Sequence, residues 1–422
     1  MTLTLSNFFG LLGGLLVLAF VANRLSSRTR IPDVIVLLGS GIVLGPVLHW
    51  ISIGRFPGFT QAVGTLALIL ILFAAGLELD LRRARKQFVA GAILAIFSYG
   101  LTMAGVAAFC MHVLGMQERA SLVVAGAFAC MSGSIVLPIL DQLNLKRDLK
   151  TTLVIEASLG DGLGALVVSV LLGMTGDGVA APSGGLLLGG VVVRIVLSFL
   201  LAFFIAVVAG FLWVRLLPHV SNKQFWQVLT FAAVLMVYSG THALGASDLF
   251  AVMVFGATLA ILLGSQSFLN EFGFEVVAPD KSSQILSFHA ELAFLVRSFF
   301  FVLLGAMIQF KGLQVQILPS LGILGVLLVA RVLAVTLSRV AWRGTSLRER
   351  ELAMLLIPRG LITAVLVLAA IAAMPNELQF LPSLTFSLIL FTNILVLVAS
   401  VRARALSAPP DAPQQADASA AT

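Results

Sequence analysis

Two carboxylates stand inside one apolar stretch of this chain. They are Glu156 and Asp161, in Ile155-Glu156-Ala157-Ser158-Leu159-Gly160-Asp161-Gly162-Leu163-Gly164, within a run from about residue 151 to 175. A charged side chain at the centre of a bilayer costs about 2.5–3.5 kcal/mol on insertion scales, so a residue of this kind marks an ion or proton path. Five residues of helix turn by roughly 140° and rise by about 7.5 Å, so the two acids face different sides and need different partners. Asp161 is the candidate ion ligand, with Ser158 as a neighbouring hydroxyl. A carboxylate in a partly dry cavity holds either a proton or a monovalent cation, and competition for one site is enough to couple two fluxes. Gly160, Gly162 and Gly164 leave space around it for another helix or for water. The plainer alternative is an acid neutralised by a structural arginine.

Two further apolar runs are interrupted, one at Ser132-Gly133-Ser134-Ile-Val-Leu-Pro138 and one at Ile357-Pro358-Arg359-Gly360. Each proline removes a backbone donor and exposes half-helix ends. Ser132 and Ser134 add hydroxyls, and Gly133 and Gly360 allow close backbone approach. Crossed half-helices present opposite partial charges at mid-membrane, where an ion and its carboxylate sit. A single proline of this kind reads first as a kink; two at corresponding positions favour the functional reading. Glu156 lies nearer the end of its run, and Arg359 is its expected partner, which makes the acid structural; direct ion handling is the alternative. Arg331, in Val-Leu-Leu-Val-Ala-Arg331-Val-Leu, must face a cavity, a carboxylate or helix carbonyls. It is read as a charge that offsets the negative half-helix ends near Asp161. Arg297 is shallower and snorkels. Thr392 and Asn393 read as packing residues before path-lining ones, Asp33, Asp248 and Glu291 as interfacial, and Glu78 and Asp80 as partners of the basic cluster that follows them. A lone His242 is more often incidental than a pH sensor.

The elements that must hold these groups are membrane spans. Of 422 residues, 59% are hydrophobic and 11% charged, against about 25% charged in soluble domains. Apolar stretches recur near 5–22, 31–50, 61–79, 88–113, 120–140, 151–174, 186–215, 225–243, 247–264, 289–308, 317–340, 351–373 and 381–400. That is thirteen spans of an all-α polytopic protein. The first, without a basic leader or a small-residue cleavage site, reads as retained. The loop at about 265–288 has room for a short surface helix, and 405–422 reads as a disordered tail with no soluble domain after the spans. The net charge of +7 suggests no nucleic-acid partner, because the basic residues sit in short loops. Alternate loops hold 19 lysines and arginines against 3, which places the N-terminus outside and the C-terminus in the cytoplasm. Cys110 and Cys130 lie in apolar runs, so no disulfide framework is expected. No His/Glu metal pattern or Ser/His pair lies at membrane depth, so neither an enzyme nor a cofactor is expected. The Gly76 and Pro138 pair recurs as Gly305 and Pro358, which divides the chain into two six-span halves of opposite orientation around the long span at 186–215.

Together these segments resemble the monovalent cation/proton antiporter superfamily, the Na⁺(K⁺)/H⁺ exchangers. The segments that carry the likeness are Leu72-Phe73-Ala-Ala-Gly76-Leu-Glu78-Leu-Asp80, Ser132-Gly133-Ser134-Ile-Val-Leu-Pro138, Glu156-Ala-Ser158-Leu-Gly160-Asp161-Gly162, Phe299-Phe-Phe-Val-Leu-Leu-Gly305, Arg331 and Arg359-Gly360. The resemblance implies a homodimer in the cell membrane. It also implies a mobile core (about 88–174 and 317–400) that moves like an elevator against a scaffold (about 5–79 and 186–308), with Na⁺ or K⁺ and a proton alternating on Asp161. Family members carry Asn-Asp or Asp-Asp where this chain has Gly160-Asp161, and a lysine common in electrogenic members is Arg331 here. With Glu156 and Arg359 kept, the likeness implies electroneutral exchange. An organic-anion/Na⁺ symporter on a related fold and a K⁺ efflux or channel-like component are the other readings.

Overall fold

A computed structural model describes residues 5–29, 33–48, 57–78, 85–133, 135–136, 140, 145–173, 186–219, 225–263, 279–306, 310–338 and 345–405. These residues form fourteen α-helices and no strand. In chain order they are α1 (Leu5–Thr29), α2 (Asp33–Ile42, continued by a π-helical turn at Val43–Val47), α3 (Pro57–Glu78), α4 (Arg85–His112), α5 (Glu118–Ala129), α6 (Arg147–Gly173) and α7 (Leu186–Leu216). The second half holds α8 (Trp226–Ala243), α9 (Asp248–Leu263), α10 (Pro279–Ala306), α11 (Phe310–Leu337), α12 (Leu347–Leu355), α13 (Leu361–Ala373) and α14 (Leu381–Ala405). Six of them contain stretches long and apolar enough to cross a membrane, among them Gln87–His112, Asp148–Leu172 and Gln314–Leu337. The exposed side chains are apolar as well: Leu197, Leu200, Phe203, Phe204, Val208 and Leu212 form the outer face of α7. In water such a face would be a liability; against lipid it is the expected surface. α9 is apolar all round and buried along almost its whole length, as a helix at the centre of a bundle must be.

Close helix crossings hold the bundle together. A Cβ on Gly76 of α3 would overlap the Met253 carbonyl of α9, and one on Gly256 of α9 would press on the Phe73 carbonyl of α3. The same arrangement recurs where α2 meets α10: Gly41 lies on the Val302 carbonyl, and Gly305 on the Leu38 carbonyl. Lipid gives no hydrophobic drive for helix association, so backbone approach through small residues carries the packing. Gly76 and Gly305, the residues that marked the repeat in sequence, thus sit at two equivalent crossings.

Two spans are broken, though not both where the prolines pointed. The stretch at 120–140 leaves the helix at Cys130, eight residues before Pro138. Its chain turns because Ser132 N–H donates to the Pro358 carbonyl (2.9 Å) instead of to its own helix. Pro138 itself, and Ser134, lie outside the described residues. The stretch at 351–373 divides into α12 and α13 around Leu356–Gly360, which contains Pro358. Residues 279–288, in the loop where the sequence left room for a short surface helix, are helical and form the first turns of α10. The tail beyond 405 lies outside the described residues.

At the basic end of the bundle, α12 starts with a reciprocal cap. Ser346 Oγ accepts from Glu349 N–H (3.3 Å), and the Glu349 carboxylate accepts from Ser346 N–H (2.8 Å). Glu349 also accepts from Lys146 N–H at the head of α6 (3.3 Å), so it fastens two elements. Burial pushes its carboxyl up, but these hydrogen bonds outweigh burial and hold it below the ordinary carboxylate range. The resulting stability is present above the ordinary carboxylate pKa and is lost as pH falls through the lowered one. Ser346→Ala should destabilise the detergent-solubilised protein by about 1 kcal/mol in thermal unfolding, and Glu349→Gln should flatten the acid limb of its stability–pH curve. Gly256→Val should do far more and remove the folded peak in gel filtration, because two backbones must part to admit it.

Candidate ion site at the crossed breaks

The two breaks lie against each other. Besides the Ser132–Pro358 backbone hydrogen bond, a Cβ on Gly360 would come within 2.5 Å of Ser132 Oγ and 2.8 Å of Ile135 Cδ1, so only glycine fits there. The Ser132 carbonyl accepts from Val136 N–H (3.1 Å), a helical turn that leaves Gly133 N–H as an orphan donor. That donor reaches Asp161 Oδ2 at 3.2 Å. A carboxylate thus sits at the opening of a helical turn, where an unpaired N–H group favours negative charge. Asp161 Oδ1 is buried and has no hydrogen-bond partner among the described residues. Ser158, one turn earlier on the same face of α6, is buried as well. The bond from Gly133 fixes the carboxylate while the other oxygen is available to a proton or a cation.

The half-helix C-termini are neutralised by arginines. Arg359 Nε donates to the Phe128 carbonyl at the end of α5 (2.6 Å), and Nη1 donates to the Ile357 carbonyl (3.3 Å). Its backbone is clasped by α14: Arg359 N–H donates to Thr392 Oγ1 (3.1 Å), and Asn393 Nδ2 donates to the Arg359 carbonyl (3.0 Å). Arg331 Nε donates to the Ala353 carbonyl at the end of α12 (2.9 Å). Arg331 also forms a two-pronged pair with Glu156: Nη2 donates to Oε2 at 3.0 Å, and Nη1 donates to Oε1. Ser98 Oγ of α4 accepts a further bond from Nη1 (3.2 Å). All four charges are buried, each no more than 3% exposed.

The pairing expected from sequence is therefore corrected. Glu156 takes Arg331, not Arg359, and the cation in electrostatic contact with Asp161 is Arg359, not Arg331. Azimuth decides this. α4 packs on both α6 and α11, so the Glu156 face of α6 meets Arg331, while the face about 140° away meets the crossed breaks. Gly133 touches Asp161, and Ser132 beside it carries the contacts to Pro358 and Gly360. The acceptors Phe128, Ile357 and Ala353 are main-chain carbonyls that no side-chain pattern could flag. Thr392 and Asn393 do pack, and their packing holds the break itself. Space remains beside Gly160, since a Cβ there would meet nothing within 4 Å. Among the described residues no group of three or more His, Cys, Asp or Glu could hold a resident metal.

Residues 15–402 match the family model described as sodium/hydrogen exchanger, transmembrane. The chain belongs to this sodium/hydrogen exchanger family. It is 24% identical over 377 residues to Na(+)/H(+) antiporter 1 of Methanocaldococcus jannaschii, an alignment that covers 85% of this chain and 82% of that relative. It is 25% identical over 338 residues to the K(+)/H(+) antiporter NhaP of Alkalimonas amylolytica, which covers 78% of this chain but only 54% of that longer protein. The solved sodium proton antiporter MjNhaP1 from Methanocaldococcus jannaschii at pH 8 superposes with a TM-score of 0.76 at 22% identity, over 92% of this chain and 98% of that one. The fold is that of MjNhaP1, and the exchanger is an integral multi-pass membrane protein whose relatives are transporters.

Removing one partner of a buried ion pair leaves an uncompensated charge and costs about 3–5 kcal/mol. Glu156→Gln should therefore lower the stability of this exchanger by that order. Glu156→Gln with Arg331→Met should recover most of the loss, as read from a double-mutant cycle in thermal unfolding.

Proposed function

We propose that this chain exchanges a monovalent cation for a proton, one for one, with Asp161 as the site both ions share. The observation that carries the reading is the state of that carboxylate: one oxygen fixed by Gly133 N–H, the other buried and without a hydrogen-bond partner among the described residues. Charge balance supports the stoichiometry. Asp161 and Glu156 are offset by Arg331 and Arg359, so the bare cluster is formally neutral and carries one positive charge with either a proton or a monovalent cation aboard. Both loaded forms cross with the same charge. Ser132, Ser134 and Ser158 supply further oxygens, while Glu156, Arg331 and Arg359 hold helix ends and charge balance.

α4–α6 and α11–α14 form the mobile core in this reading, and α1–α3 and α7–α10 form the scaffold against which it shifts, in a homodimer of the cell membrane. The basic loops lie in the cytoplasm, with the N-terminus outside. The relatives are named for Na⁺ and for K⁺, so both cations are substrates to test.

In proteoliposomes the protein should release protons when Na⁺ or K⁺ is added, at a rate unchanged when the membrane potential is clamped at zero. Asp161→Asn should abolish the flux while leaving a monodisperse, folded protein. Full exchange by folded Asp161→Asn would remove that residue from the site, and a rate that follows the potential would exclude one-for-one exchange.

A further inference from the structure

A cavity of about 440 Å³ opens at the end of α6 remote from Arg147, between α6, α7 and the α8–α9 turn. Its lining includes Leu166, Ser169, Ser198, Ser247, His242 and Asp248. His242 Nδ1 lies 2.8 Å from Asp248 Oδ2, and Asp248 Oδ1 accepts from Leu249 N–H (2.7 Å) at the start of α9. The His242 side chain is 74% exposed and that of Asp248 only 12%, so the imidazole faces bulk water while the carboxylate stays at the cavity wall. Among the described residues, His242 and Asp248 are the titratable groups in the lining. Tyr238, stacked against His242 one turn below with ring centroids 6.2 Å apart, is their titratable neighbour.

The cavity wall and Asp161 share helix α6. Leu166 stands one turn above Gly162, and a Cβ on Gly162 would touch the side chains of Phe250 (3.4 Å) and Met253 (3.5 Å) from α9. Phe250 is backed edge-on by Phe199 of α7, with centroids 4.2 Å apart. Along α6 the cavity wall at Leu166 and Gly162, the residue next to Asp161, are thus about 6 Å apart in helix rise, with the apolar side chains of Phe250 and Met253 packed at Gly162.

We propose that this cavity is the outward vestibule for the transported monovalent cation, with Asp248 its first carboxylate contact, His242 the proton-dependent competitor for that carboxylate, and Phe250 and Met253 the seal below. The proposal rests on the exchange reading and orientation given above. When His242 is neutral, Asp248 keeps its negative charge toward the chamber. When His242 is protonated, the ion pair cancels that charge, so acidification weakens cation capture on this side beyond proton competition at Asp161 itself.

The test is the cation KM measured separately on the two faces, in right-side-out and everted membrane vesicles, between pH 6 and 8. The outward-side KM should rise more steeply with acidification than the inward-side KM, and His242→Gln should bring the two slopes together. Asp248→Asn should raise the outward-side KM several-fold with the inward-side KM unchanged, and Asp248→Glu should restore it. A change equal on both faces, confined to the inward face, or shared by Asp248→Glu would overturn the vestibule, as would a His242→Gln profile identical to that of the unsubstituted protein. Absence of any exchange by the unsubstituted protein would overturn the exchange reading and this proposal together; unaltered KM values in Asp248→Asn would overturn the vestibule alone.

Discussion

Four charges buried at membrane depth must neutralise one another, because no water is available to do so. This constraint organises the centre of the molecule. Glu156 and Arg331 satisfy it directly, through paired hydrogen bonds. Arg359 satisfies it through the Phe128 carbonyl at the end of α5, and Asp161 through the Gly133 amide. Arg331, Arg359 and Asp161 each also meet main-chain groups at a helix break, carbonyls for the arginines and an amide for the acid. The broken helices are therefore part of the electrostatics. An unbroken pair of spans would offer neither the free amide of Gly133 nor the free carbonyls of Phe128 and Ala353, and the charges would have nothing to face.

Division of labour between the two acids follows. Glu156 has both oxygens engaged by one guanidinium and is committed to joining α6 to α11. Asp161 keeps one oxygen without a partner among the described residues, and the proposed exchange rests on that asymmetry. Arg359 is positioned to compensate Asp161 without sealing it, since its hydrogen bonds run to main-chain carbonyls and its own backbone is clasped by Thr392 and Asn393 of α14. The reach of the arrangement extends to Ser132 and Gly360, whose close contact fixes the distance between the breaks.

Much of this was legible in sequence, for physical reasons that also mark where it stopped. An acid in an apolar run is conspicuous whatever its surroundings, and so are two prolines in apolar runs and the glycines Gly76 and Gly305. Span order followed from hydropathy alone. The partner of Glu156 did not, because two arginines lay at suitable depth and the choice depends on helix azimuth and on how α4 seats against α6 and α11. The first break also sits upstream of its proline. The interaction that fixes it, Ser132 N–H to the Pro358 carbonyl, joins backbone atoms more than two hundred residues apart, and no local pattern encodes it.

The central claim is that one carboxylate holds the proton and the cation in turn. Proton release on cation binding to the purified protein in weakly buffered detergent tests it most directly. The account predicts that Na⁺ or K⁺ displaces protons, rising toward one per bound cation as the pH is lowered and Asp161 starts out protonated, and that Asp161→Asn displaces none. Cation binding without proton release, or release undiminished in Asp161→Asn, would contradict it.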